Sequence, residues 1–253
     1  MMKTAVIYLC SHTFLKRYVS FFLKFSICAA LLLGMALGFG NLIFWQDKTA
    51  FPTVSEKGNS LTVVIDAGHG GRDGGAVAGD GTLEKHLNLA VAKHLKALLE
   101  SADIRVVMTR ETDIELASPD SSHKKADDLN ARLNIASECE NAVFVSIHMN
   151  RFPVEKYRGL QVYYSENHEQ SLSLAQTVQT VAEDTLQNTN GRKIKPAGSS
   201  IYLMAHLEIP AILVECGFLS NPEETELLKS EAYQKKLALC LYASLIRYFS
   251  ENT

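Results

Sequence analysis

Short apolar runs alternate with amphipathic helical stretches from residue 61 to the end of the chain, and this alternation limits the possible folds more than any other feature. Apolar and β-branched residues predict strands at residues 61–65, 104–109, 142–148, 160–164 and 211–215. Helical periodicity and an Asn-Pro-Glu cap predict helices at residues 83–100, 127–139, 172–186, 223–229 and 231–250. Strands that alternate with helices form a mostly parallel sheet with helices on both faces, so we predict an α/β fold.

The N-terminal segment has the composition of a membrane-spanning helix. Residues 25–45 contain no charged side chain, and a helix of that length spans about 31 Å, which matches a hydrocarbon core of about 30 Å. The basic leader 1–24 places the N-terminus in the cytoplasm and the rest of the chain outside it. A signal peptide cleaved near residues 36–38 is the alternative, but the apolar run is longer than a usual signal core. We therefore favour an uncleaved anchor, followed by a short stalk at residues 46–60.

The overall composition narrows the class of protein further. The 253 residues are 47% apolar and 21% charged, which predicts a folded chain with one domain at residues 61–251. The net charge is −3 and no basic tract is present, so we expect no nucleic-acid partner. Five cysteines are too few, and an odd number, for a disulfide scaffold.

Ionisable residues stand at the carboxyl ends of three predicted strands, which is where α/β folds collect their sites. His69 lies in a glycine-rich loop after the first strand, and His148 and Glu215 end two later ones. The glycine-rich loop matches neither nucleotide-binding pattern, because Asp73 replaces a required glycine and Gly-Lys-Ser/Thr is absent. Since a carboxylate in an apolar strand needs a partner, these residues are candidates for one common site.

Glu84, in the first turn of the following helix, completes a candidate set of metal ligands. His69, Glu84 and His148 are the residue types of a His₂Glu zinc site with a fourth position open to water. Glu215 is then available as a general base. The alternative is structural, because a strand-end histidine can be a hydrogen-bonded core residue and Glu84 can simply complement the helix dipole. The irregular spacing of these residues does not decide between the two interpretations.

Four ordered motifs resemble the zinc-dependent N-acetylmuramoyl-L-alanine amidases across residues 61–250. The motifs are IDAGHGGRDGGAV, TLEKHLNL, VSIHMN and PAILVECGFLSNPEE. The resemblance implies a twisted six-stranded sheet flanked by helices, with zinc held by His69, Glu84 and His148. It also implies that Glu215 is catalytic. The implied substrate is peptidoglycan, cleaved at the amide bond between the lactyl group of N-acetylmuramic acid and L-alanine.

The short anchor, the single domain and the segments SIYLM and GFLSNPEETELL are most similar to the germination-specific members of this family. That resemblance implies action on spore-cortex peptidoglycan and a part in forming muramic-δ-lactam. One departure is visible, because Ala205 stands where many broader members have an arginine before the last catalytic strand. A vegetative cell-wall amidase, a zinc carboxypeptidase and a non-catalytic wall-binding protein are the alternatives. The sequence leaves open whether an activating protein partner exists.

Overall fold

The structure, a computed structural model, describes residues 61–186 and 191–252. This part of the chain forms six strands and six helices. The strands are β1 (Thr62–Ala67), β2 (Arg105–Met108), β3 (Ala142–Asn150), β4 (Gln161–Tyr164), β5 (Lys195–Pro196) and β6 (Ala211–Phe218). The helices are α1 (Glu84–Ser101), α2 (Lys124–Ser137), α3 (Gln170–Leu186), α4 (Tyr202–His206), α5 (Pro222–Lys229) and α6 (Glu231–Asn252). The predicted α/β class is confirmed.

The strands form one mostly parallel sheet in the order β2-β1-β3-β6-β4-β5. Strands β2, β1, β3 and β6 are parallel to one another, whereas β4 pairs antiparallel with β6. The carboxyl ends of β1, β3 and β6 therefore lie at one edge of the sheet, and the amino end of β4 lies beside them. The six-stranded sheet that the resemblance implies is confirmed.

Helices cover both faces of the sheet, as the sequence predicts. The larger apolar core joins one face to α1, α3 and α6. The second face packs on α2 and α4 around Phe144, Leu213 and Met204. Because successive strand residues point to opposite faces, His148 of β3 and Glu215 of β6 belong to the second face.

Most boundaries lie within two residues of the predicted ones, and two elements differ by three residues. Helix α2 begins at Lys124 rather than near residue 127, and β6 continues beyond Glu215 to Phe218. Apolar periodicity does not predict β5 or α4, because a strand of 2 residues and a helix of 5 residues are too short to show a repeat.

The predicted leader 1–24, membrane segment 25–45 and stalk 46–60 lie outside the described residues. Among the helices that the structure does describe, none combines the length and the apolar character needed to cross a membrane. The assignments for the first 60 residues therefore stay predictions.

Candidate active site

Three side chains from distant parts of the chain meet at the carboxyl edge of the sheet. His69 follows β1, Glu84 begins α1 and His148 lies near the end of β3. One donor atom from each lies within 4.8 Å of the other two. Nδ1 of His148 is 2.8 Å from Oε1 of Glu84, and Nε2 of His69 is 3.2 Å from Oε2 of the same carboxylate. The structure thus brings the three candidate ligands together.

The carboxylate of Glu84 is buried and held by several donors. Its Oε2 accepts a hydrogen bond from the N–H of Ala76 at 2.7 Å. Its Oε1 accepts from the N–H of Met149 and from Nδ2 of Asn88, both at 3.1 Å. Burial by itself raises the pKa of Glu84, but the contacts with the two imidazoles outweigh burial and hold this pKa well below its usual range. Glu84 is therefore an ionised acceptor fixed between two histidines.

The imidazole of His69 lies beside a second carboxylate. His69 itself has a left-handed backbone, with φ at 62°, which is uncommon for a residue that carries a Cβ. Its Nδ1 lies 2.9 Å from Oδ2 of Asp73, and Asp73 also contacts Lys125 of α2. Burial raises the pKa of Asp73, but the contacts with Lys125 and His69 outweigh burial and lower it below its usual range. The charged carboxylate on Nδ1 leaves Nε2 directed toward Glu84.

His148 is held between Glu84 and the glycine-rich loop. Its ring packs against the Cα of Gly68, and the rings of His69 and His148 lie edge to face with centroids 4.9 Å apart. Burial lowers the pKa of His148, but the hydrogen bond to Glu84 and the charges of Glu84 and Glu215 outweigh burial and raise it. The position of His148 is thus set by its strand, by a carboxylate and by the missing side chain at Gly68.

Glu215 lies beside His148, because β3 and β6 pair these two residues in register. Its Oε2 is buried and has no hydrogen-bond partner among the residues that the structure describes. Burial raises the pKa of Glu215 to about 7. On its other side the register partner is Gln161 of β4. A carboxylate with this pKa can exchange a proton near neutral pH.

The donor set fits a divalent metal ion. Two imidazoles and one carboxylate are the ligands of catalytic zinc sites of the His₂Glu type. A buried oxygen without a partner, as in Glu215, is costly in a closed protein interior and is expected where water or substrate completes a site. The arrangement can therefore bind a metal and move a proton beside it.

Sequence reasoning misses three residues that support this site. Arg110 and Arg132 are buried and donate to main-chain carbonyls of the loop that carries His69. A buried guanidinium leaves no signal in an apolar pattern. Asp73, which lies beside the imidazole of His69, could have been found from its position four residues further along the same loop.

Comparison with known proteins places this arrangement in a family. The family model described as N-acetylmuramoyl-L-alanine amidase matches residues 63–247, a range that includes the candidate ligands and Glu215. The chain belongs to the N-acetylmuramoyl-L-alanine amidase family. The resemblance that the four sequence motifs indicate is thereby confirmed.

Named members of the amidase family match most of the described chain. The germination-specific N-acetylmuramoyl-L-alanine amidase of Bacillus subtilis (strain 168) is 36% identical over 228 residues, which cover 87% of this chain and 95% of the relative. The solved CwlD amidase from Clostridioides difficile, in complex with the GerS lipoprotein, is 39% identical with a TM-score of 0.73. That match covers 76% of this chain and 99% of CwlD. AmiC2 of Nostoc punctiforme is 31% identical with a TM-score of 0.64, covering 77% of this chain and 99% of AmiC2.

Proposed function

We propose that this chain is a zinc-dependent hydrolase of the amide bond between N-acetylmuramic acid and L-alanine in peptidoglycan. One observation carries the proposal. Donor atoms of His69, Glu84 and His148 meet beside a strand position where Glu215 has a buried, unpartnered oxygen. The family description and the name of the Bacillus subtilis relative specify this amide, which supports the choice of bond.

In this proposal His69, Glu84 and His148 hold the zinc ion. Bound zinc lowers the pKa of a water molecule to about 7 and polarises the scissile carbonyl. The carboxylate of Asp73 lies 2.9 Å from Nδ1 of His69, and main-chain N–H groups hold the carboxylate of Glu84. The protein therefore supplies three ligands that need little rearrangement.

Glu215 is the proposed general base and general acid. In the metal-free protein burial raises the pKa of Glu215 to about 7, and the buried carboxylate lies beside the candidate ligands, where it can take up and release a proton. The carboxylate accepts a proton from the attacking water and then returns it to the departing nitrogen of L-alanine, so the proton balance closes over one cycle. A general base of this kind contributes about 10²- to 10⁴-fold in rate.

We propose the spore cortex as the place of action, with roles in muramic-δ-lactam formation and in germination. The name of the Bacillus subtilis relative, which specifies germination, supports this role. A general vegetative cell-wall amidase is the alternative within the same chemistry. A non-catalytic wall-binding protein is disfavoured because the candidate ligands and Glu215 are all present together.

We also propose that residues 25–45 anchor the enzyme outside the cytoplasm with its N-terminus inside. The support is the uncharged run itself and the basic leader 1–24. CwlD was solved in complex with a lipoprotein, and a lipoprotein at the same membrane surface is our proposed activating partner. N-terminal sequencing of the protein from cells tests the anchor, because a cleaved signal peptide gives a new terminus near residue 38.

The decisive experiment uses the full chain, purified in detergent, on peptidoglycan sacculi. Glu215→Gln is expected to keep its zinc and to lower the rate about 10²- to 10⁴-fold, whereas His148→Ala loses zinc. Glu183→Gln on α3 and His94→Ala on α1 are matched controls away from the site and leave both quantities unchanged. Intact released stem peptides identify an amidase, and single released terminal residues identify a carboxypeptidase. Full activity of Glu215→Gln would remove this residue from the scheme.

The cortex role has its own test in a spore former that lacks this chain. Muropeptide analysis of its cortex is expected to show no muramic-δ-lactam. Normal lactam levels would assign the enzyme to the vegetative wall instead, with the amidase chemistry unaffected.

A further inference from the structure

Two buried arginines lie directly beneath the loop that carries His69. Arg110 follows β2, Arg132 belongs to α2, and each side chain leaves only 2% of its residue surface exposed. Neither is a candidate ligand or proton donor in the reaction described above. We call Arg110 and Arg132 the arginine pair.

The arginine pair donates to three consecutive main-chain carbonyls of this loop. Nη1 and Nη2 of Arg132 reach the carbonyls of Ala67 at 2.9 Å and His69 at 2.7 Å. Nε and Nη2 of Arg110 reach the carbonyls of Ala67 at 2.8 Å and Gly68 at 2.9 Å. Hydrogen bonds from the arginine pair therefore fix the main chain on both sides of the His69 Cα.

Arg110 also connects the His69 loop to the start of α1, which carries the candidate ligand Glu84. Its Nη2 donates to the carbonyl of Lys85 at 2.9 Å, and Lys85 directly follows Glu84 at the start of α1. One guanidinium group thus spans the two segments that carry His69 and Glu84. The planar fork of arginine suits such contacts to several acceptors, which a single ammonium group cannot make together.

Two carboxylates pair with the buried guanidinium of Arg132. Nη1 of Arg132 donates to Oδ1 of Asp66 at 2.7 Å, and Nε of Arg132 donates to Oδ2 of Asp128 at 2.7 Å. Asp66 also accepts from Ser146 at 2.6 Å and from Thr109 at 2.7 Å. A buried charge that lacks partners is strongly destabilising, and here each carboxylate is both paired and hydrogen-bonded. Arg132 is therefore held by two carboxylates, whereas Arg110 is held by main-chain carbonyls.

We propose that the arginine pair positions His69 for metal binding, so that the ligand set is formed before the metal arrives. The proposal rests on the zinc site proposed above. His69 has φ at 62°, and the two carbonyl groups that flank this torsion, those of Gly68 and His69, accept hydrogen bonds from Arg110 and Arg132. Both arginines are positioning residues, since neither touches the substrate or the metal ligands' side chains.

Zinc affinity of the full chain, measured by chelator competition, tests the role of Arg132. Arg132→Lys keeps the charge beside Asp66 and Asp128 but cannot bind the carbonyls of Ala67 and His69 together, so we expect about 10- to 100-fold weaker zinc binding. Leu241→Ala, in the apolar core at α6, is the control, because it destabilises the fold without touching the loop. If Arg132 only stabilises the fold, Arg132→Lys and Leu241→Ala have equal zinc affinity below their unfolding temperatures. Wild-type affinity in folded Arg132→Lys would overturn the proposal.

Hydrogen exchange of the wild-type protein tests preorganisation without any substitution. In this loop the N–H of Gly70 donates to the main-chain carbonyl of Asp73 at 2.9 Å, and the N–H of Gly71 donates to Oδ1 of Asp113 at 2.8 Å. We expect a peptide covering residues 66–75 to be equally protected in zinc-free and zinc-loaded protein. Exchange of the zinc-free loop at the rate of an unstructured peptide would overturn the proposal, even if Arg132→Lys does not fold. Wild-type protein that binds no zinc would instead overturn the proposed function.

Discussion

The Cα of Gly68 lies against the imidazole of His148, so that a Cβ at position 68 would stand 2.3 Å from Nε2 of that ring. Real Cβ contacts do not reach this distance, so any side chain at position 68 must displace the ring or the loop. Gly75 has the same relationship with Glu84, since a Cβ there would stand 2.6 Å from Oε2 and the backbone has φ at +69°. The site therefore depends on glycine for space beside its ligands as well as for the shape of its loop.

Gly68→Ala is expected to abolish tight zinc binding while leaving most of the fold intact. The new methyl group meets the ring of His148 and moves it away from Glu84. Zinc content after dialysis and activity on sacculi measure the effect. Gly79→Ala is the matched control, because nothing lies within 4 Å of a Cβ at that position. Equal zinc content in the two variants would contradict this reading of the contact.

Asp73→Asn is expected to weaken zinc binding about 10- to 100-fold, as loss of a partner behind a metal-binding histidine typically does. The substitution removes the negative charge that lies 2.9 Å from Nδ1 of His69. Competition with a chromophoric chelator gives the affinity. Asp80→Asn is the control, since Asp80 forms an exposed ion pair with Lys229. The idea fails if both variants bind zinc as the wild type does.

Glu215→Gln is expected to stabilise the zinc-free protein, and the gain is expected to grow with pH. In the folded state burial raises the pKa of Glu215 from 4.5 to about 7. Between these values the folded state binds more protons than the unfolded state, so this residue lowers stability as pH rises. Gln does not ionise, so the variant does not undergo this decrease in the free energy of unfolding, which amounts to about 3 kcal/mol at pH 8.

Denaturant unfolding of the chelator-treated proteins between pH 4 and pH 8 measures that difference. At pH 4 Glu215 is protonated in both states, so the two proteins are expected to have similar free energies of unfolding. Glu183→Gln, on the exposed side of α3, serves as the control and is expected to follow the wild type at every pH. A constant difference between wild type and Glu215→Gln across this range would argue against the raised pKa.

Glu224→Gln is expected to destabilise the fold by about 1–3 kcal/mol. The carboxylate of Glu224 is buried and accepts hydrogen bonds from the N–H of Gly159 at 2.7 Å and of Phe218 at 2.8 Å. An amide offers one oxygen, so its NH₂ group must face one of these N–H donors. Thermal unfolding gives the change, with exposed Glu226→Gln as the control. Equal unfolding temperatures for the two variants would show that the carboxylate is not required there.

The convergence of His69, His148 and Glu215 could be predicted because parallel strands end at one edge of a sheet. Glu84 could be added because it stands in the first turn of the helix that follows the glycine-rich loop carrying His69. The arginine pair could not be predicted in this way. The buried face of α2 carries Asp128, Arg132 and Ala136, and an apolar pattern has no means of recognising a buried guanidinium.

The strand-end rule does not predict the neighbour of Glu215 on β4, Gln161, for a topological reason. It is the register partner of Glu215, but it lies at the amino end of β4. Only the antiparallel direction of β4 brings that end to the edge where the other strands finish. A rule based on the carboxyl ends of strands therefore overlooks it.

Two of the candidate ligands are far apart along the chain, since 64 positions separate Glu84 from His148. An unfolded polypeptide of this sequence thus presents no chelating cluster, and capture of the metal has to follow closure of the sheet. A chain that crosses a membrane before it folds carries no zinc across with it. In the extracytoplasmic location proposed above, the local supply of zinc then sets how many of the exported molecules become active.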